Sequence, residues 1–116
     1  MAVKIYGIKN CDTMKKAFDW LKANGIDYDF HDYRAVGIDA ARVRDWSSKL
    51  GWEKVLNKAS TTFKDLPAAE KADLDEEKAI ALMVREPTMI KRPVLEAGDK
   101  TVNGFKPAIY EDVFGR

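Results

Sequence analysis

The sequence predicts an α/β fold in one domain spanning residues 1–116, and three features carry that prediction. A strand, an amphipathic helix and a second strand follow one another at the N-terminus. A helical stretch fills the middle, at about residues 39–86. A strand pair and a short helix close the chain. A crossover through a helix favours parallel pairing of the first two strands, and a tight turn makes the last two an antiparallel hairpin.

Each element has a local cause. Val3 to Ile8 is rich in β-branched and aromatic residues and reads as a strand. Met14, Ala17, Phe18 and Leu21 then recur at helical spacing and form one apolar stripe, which Asn24-Gly25 terminates. Ile26 to Tyr33 alternates apolar and polar residues, as a second strand would. In the middle, Asp39 is placed as an N-cap, with Ile38 and Val43 spaced for a hydrophobic staple. Val43, Trp46 and Leu50 form the stripe of that helix and Gly51 ends it; WEKVLN reads as another short helix. STTFKDLPAAEK reads as a loop. Asp73 with Glu76 resembles a capping box, Ile80, Met83 and Val84 supply the buried face behind it, and Pro87 stops that helix. PVLEA and KTVN flank a Gly98-Asp99 turn, and Pro107 opens a final helix, PAIYEDVF.

Composition excludes several functions. The chain is 46% hydrophobic and 34% charged with both signs mixed, the balance of an ordinary soluble domain. A formal net charge of +1 gives no electrostatic case for direct nucleic-acid binding. No apolar run reaches membrane-spanning length, and MAVKIYGIKN lacks the apolar region of a signal peptide. One cysteine permits no internal disulfide and no Cys-rich metal site, and the single histidine, His31, argues against zinc. The lone thiol without a secretion signal points to the cytoplasm. Nothing demands more than a monomer.

The cysteine itself, Cys11, falls between the first strand and the helix. A free cysteine is often a buried and inert hydrophobe. At a helix N-terminus, however, backbone N–H groups favour the thiolate, which is the nucleophilic form. Lys9 and Lys15 lie near in sequence; Lys9 either raises the thiolate population or is a solvated charge. Asn10 and Thr13 either hydrogen-bond the thiol or cap the helix. Many redox proteins carry Cys-x-x-Cys, but here Met14 occupies the second position and no resolving cysteine exists. Once Cys11 has attacked a disulfide, an external thiol must release it, and glutathione is the natural cytoplasmic candidate. Trp20, Trp46 and Trp52 read as core or rim packing, and His31 as structural or exposed.

This order of elements, with a thiol after strand one and a proline opening strand three, resembles the thioredoxin/glutaredoxin arrangement. NCDTMKKAFDWL, IDYDFHDYR and EPTMIKRPVL more specifically resemble the ArsC-like family, which includes glutaredoxin-linked arsenate reductases, the Spx regulators and the YffB group. CDTMKKA and GFKPAIYE look most like the YffB proteins. The resemblance covers essentially the whole chain. It implies a thioredoxin-like (glutaredoxin-like) fold of ArsC type, with a mixed four-stranded sheet and an inserted helical segment. It also implies that Pro93 is cis and faces the cysteine, and that Arg92 stabilises the thiolate or binds an anionic group of the substrate or of glutathione. Arsenate reductases of this kind use three arginines around the oxyanion. Here only Arg92 matches; Asn57 stands near the first and Lys106 at the third, where it supplies a point charge instead of a bidentate fork.

The resulting expectation is a glutathione-dependent thiol reductase with Cys11 and Arg92 as catalytic residues. Lys9, Asn10, Thr13, Pro93 and Lys106 would serve substrate or glutathione binding. Glutathione would act as co-substrate, with no bound cofactor and no metal. The alternatives are arsenate reduction coupled to glutathione and glutaredoxin, and a non-enzymatic, Spx-like adaptor of RNA polymerase. Spx-type switching uses Cys-x-x-Cys, which Met14 interrupts.

Overall fold

A computed structural model describes residues 2–116. The chain divides into two compact units, one made of the residues up to Val36 together with Arg92–Arg116, and the other of Gly37–Lys91.

The first unit contains the sheet. Strand β1 (Val3–Gly7) leads to helix α1 (Asp12–Ala23), and β2 (Asp29–Asp32) to a single helical turn, α2 (Tyr33–Val36). The sheet order is β2-β1-β3-β4, in which β3 is Val94–Ala97 and β4 is Lys100–Asn103. β1 and β2 run parallel, with Tyr6 opposite His31 and Gly7 opposite Asp32. β3 is antiparallel to both β1 and β4. The sheet is therefore mixed and four-stranded, and the hairpin turns at Gly98-Asp99 with Gly98 at φ 62°. The last helix of the chain, Pro107–Phe114, begins with proline, whose missing N–H costs nothing in a first turn.

Alternation along β1 sends Val3 and Ile5 to one sheet face, where Leu95 and Ala97 of β3 join them. Met14, Ala17 and Leu21 of α1 pack there with Tyr110 and Val113 of the closing helix. The stripe read from the sequence is thus the buried stripe, with Phe18 half-buried at its edge against the rings of Tyr28 and Phe30, 5.3 and 5.1 Å away between centroids. The second strand is shorter at both ends than its alternation predicts. At the start, the Ile26 N–H donates to the Leu21 carbonyl and so belongs to the end of α1. At the other end, Asp32 Oδ1 accepts the N–H groups of Arg34 and Ala35, which turns the chain into α2 before Tyr33 can extend the ladder.

The second unit is helical, with α3 (Ala40–Leu50), α4 (Trp52–Val55), α5 (Thr61–Lys64), α6 (Ala68–Lys71) and α7 (Glu76–Arg85), then a 3-10 turn at Pro87–Met89. Asp39 caps α3 by accepting from the Arg42 N–H, and Gly51, at φ 89°, ends it. Two expectations are corrected. STTFKDLPAAEK is not plain loop: Ser60 accepts the Phe63 N–H and starts α5, and Pro67 precedes α6. The cap of α7 is Asp75, which accepts the Lys78 N–H, while Asp73 sits two residues earlier in a left-handed turn with φ 51°. The buried face of α7 is Ala79, Ile80, Leu82 and Met83, with Val84 only half-buried. No helix among the described residues is long and apolar enough to cross a membrane.

Candidate active site

The register of the sheet brings three chain segments to one end of it. β1 finishes at Gly7, β2 finishes opposite it at Asp32, and β3 starts at Val94, opposite Tyr6. The residues just beyond those ends are the loop to Cys11, Tyr33, and Arg92-Pro93.

Cys11 is the N-cap of α1, with extended backbone (φ −119°, ψ 130°), and its carbonyl accepts the Lys15 N–H at 2.9 Å. Asn10 before it takes φ 59°, a left-handed conformation that asparagine tolerates better than most residues, and this is what swings the chain from strand to helix. A cap position normally holds an oxygen facing the first free N–H groups; here it holds sulfur. The Sγ makes no regular cap hydrogen bond. Burial pushes the half-buried thiol up more than any other single effect. It is outweighed by the Met14 N–H, the Arg92 guanidinium as hydrogen-bond donor, the Thr13 N–H and the Arg92 charge, so that the thiol titrates below its ordinary 9.0.

Arg92 is half-buried and precedes a cis peptide bond to Pro93, as the resemblance implied. Pro93 is buried, and its carbonyl accepts the Gly104 N–H at 2.9 Å, which fixes it beside the end of β4. Burial disfavours the guanidinium charge most strongly, but the hydrogen bonds to Cys11 and Tyr33 and the charge of the Cys11 thiolate more than compensate, so Arg92 is held protonated. Tyr33 is the residue that sequence reasoning missed. It is fully buried, hydrogen-bonded to Arg92, and its hydroxyl is pushed up to about 12, chiefly by burial. Its sequence signal was faint: an aromatic out of phase with Ile26, Tyr28 and Phe30, directly after an aspartate able to cap a turn.

The other expected residues divide. Asn10 lines a groove of about 450 Å³ that runs from Cys11 along α1 past Met14, Lys15 and Phe18. Thr13 contributes through its backbone. Lys9 is exposed and is not among the groups that act most strongly on the thiol. Lys106 is not brought to the thiol groove either. It is exposed, caps the closing helix through its carbonyl, and lines a separate open groove of about 560 Å³ with Lys16, Trp20 and Phe105. Asn57 uses its side-chain oxygen on the Ala59 N–H. Met14, at the position of a resolving thiol, is 1% exposed and packs on Gly7, where an added Cβ would run into its sulfur. Among the described residues no group of His, Cys, Asp and Glu is arranged to hold a metal.

The sequence profile of the ArsC family matches residues 6–113. The chain belongs to the ArsC family. Its mixed four-stranded sheet with a helical segment between β2 and β3 is a fold it shares with its solved relatives. A solved structure, that of a YffB protein, is 58% identical over 96% of this chain and 97% of its own, with a TM-score of 0.94. An arsenate reductase (ArsC) related protein from Brucella melitensis is 52% identical, covers 98% of this chain and 95% of its own, and superposes with a TM-score of 0.76. An uncharacterised protein of Haemophilus influenzae is 38% identical over 97% of this chain and 98% of its own.

Proposed function

We propose that this ArsC-family chain is a glutathione-dependent thiol reductase that acts on disulfides or glutathione mixed disulfides. The observation that carries the reading is the Arg92 guanidinium hydrogen-bonded to the only cysteine, which shifts the thiol toward its nucleophilic thiolate form. In the first step the Cys11 thiolate attacks the glutathionyl sulfur of a mixed disulfide. The new bond joins Cys11 to glutathione, the old S–S bond breaks, and the substrate leaves as a thiolate that takes a proton from water. In the second step a glutathione thiolate attacks that adduct, forming oxidised glutathione and returning Cys11 as thiolate. The cycle consumes one reduced glutathione: the substrate's mixed disulfide becomes a free thiol, and its glutathionyl group leaves as half of the oxidised glutathione. Arg92 holds the charge on sulfur before attack, and Pro93 shapes the edge facing the thiol. Lys106, in its separate groove, has no step in this cycle.

Intact mass spectrometry tests the reading directly. Oxidised glutathione should add one glutathione to the wild type, reduced glutathione should remove it, and Cys11→Ser should take none. Full thiol-transfer activity in Cys11→Ser, or no adduct on the wild type, would sink the proposal.

Arsenate is the weaker substrate in this reading. An oxyanion is best held by bidentate guanidinium forks. Asn57 and Lys106 offer none, so arsenite formation in the presence of glutathione and a glutaredoxin should be slight or nil. Arsenite production as fast as disulfide reduction would reverse this order of substrates.

A further inference from the structure

We propose that Tyr33 is a positioning residue for the nucleophile: its buried hydroxyl accepts one N–H of the Arg92 guanidinium and thereby aims another at the Cys11 sulfur. This deepens the thiol-reductase reading and rests on it.

The placement follows from the fold. Asp32 caps the turn that opens at Tyr33, and that turn sits where β1 and β2 end side by side. Tyr33 is 0% exposed, so it cannot touch a substrate; whatever it contributes passes through a neighbour. A buried hydroxyl requires a partner, and Arg92 is one. Arginine carries donors only, so in this contact the tyrosine oxygen accepts. The guanidinium is planar and rigid, so fixing one N–H fixes the direction of the others. Arg92 also donates to Cys11, which makes it a bridge between a fixed acceptor and the thiol.

The chemistry of the partner matters as well. A carboxylate in place of Tyr33 would orient Arg92 equally well, but its negative charge would repel the thiolate and offset the guanidinium. Tyr33 stays neutral throughout the physiological range, because burial pushes its hydroxyl to about 12. It therefore orients the arginine and leaves its charge to the sulfur.

The test is the pH dependence of Cys11 alkylation by iodoacetamide, which needs no glutathione. In Tyr33→Phe the ring stays and the oxygen goes. The alkylation midpoint should rise by about half to one pH unit, and the rate at a pH below the midpoint should fall by about three- to tenfold, the change in thiolate fraction for that shift. Combined with Arg92→Gln, Tyr33→Phe should add no further shift, because its effect passes through the arginine. Arg92→Lys, with Tyr33 intact, keeps the charge but loses the fork, and its midpoint should rise too. An unchanged midpoint in Tyr33→Phe would overturn the proposal. So would an equal shift in the Arg92→Gln background, or an Arg92→Lys protein that titrates like the wild type. These outcomes are independent of the glutathione adduct. A Tyr33-dependent midpoint with no adduct keeps the positioning role and removes the reductase; an adduct with no Tyr33 dependence does the reverse.

Discussion

Cys11 shows how small a set of atoms decides the protonation of a thiol. Its burial alone would leave an ordinary or weak nucleophile; the opposing contributions of two backbone amides and one guanidinium turn the sign. The alkylation midpoint of the wild type should therefore fall below 9.0, and Arg92→Gln should move it upward; a midpoint at or above 9.0 in the wild type would contradict the arrangement. The same shift has a linked effect on stability. A group that loses its proton more readily when folded stabilises the fold at pH above its unfolded value, and that contribution disappears as pH falls through the folded value. Cys11→Ser should accordingly lose stability relative to wild type near pH 9, and approach it as the solution is acidified. Urea titrations at several pH values would measure the difference.

At the scale of elements, the junction between β1 and α1 is set by packing as much as by capping. Gly7 closes β1 directly beneath Met14 of α1, and a methyl group there would press on a thioether that is itself 1% exposed. Gly7→Ala should cost about 1–3 kcal/mol, because a buried side chain has little room to yield. The double variant Gly7→Ala with Met14→Ala should cost less than the sum of the two single changes, since the smaller residue vacates the space the methyl needs. Additive costs in denaturant unfolding would show that the two residues do not share that space. This contact also explains how the chain tolerates a methionine where many redox proteins carry a second thiol: the position faces the core, and methionine fills it.

At the scale of the whole molecule, two buried phenols set an alkaline limit. Tyr33 titrates near 12 when folded and near 10.0 when unfolded; Tyr110 is likewise pushed up by burial. The unfolded chain therefore releases these protons first. Their contribution to stability is intact below pH 10 and falls as pH rises above it, by about 1.4 kcal/mol per pH unit for each phenol until its folded value is reached. Tyr110→Phe should flatten that fall while leaving stability at pH 7 close to wild type. Unfolding curves from pH 9 to pH 12 that show no dependence on pH would exclude this account. In the helical unit, the Arg44–Glu77 and Arg85–Glu70 ion pairs are substantially exposed and contribute little by comparison.

The sequence by itself determined the order of elements, because each rests on local causes: the Met14-Ala17-Leu21 stripe, the Asp39 cap, the Gly98-Asp99 turn, the Pro107 start. It also determined that only one thiol exists, and hence that any disulfide chemistry must borrow a second from outside. It misjudged the segments where a short side-chain hydrogen bond decides between loop and helix, as at Ser60, Asp75 and Asp32, since several residues nearby could have made the same bond. Only the tertiary structure decided which charges reach the sulfur. Lys9 is two residues from Cys11 and stands aside, whereas Arg92 is eighty-one positions away and donates to it. Tyr33 joins them for the same reason. Strand register, which local sequence does not encode, ends β1 and β2 together and starts β3 beside them, so that the residues just past those ends become neighbours.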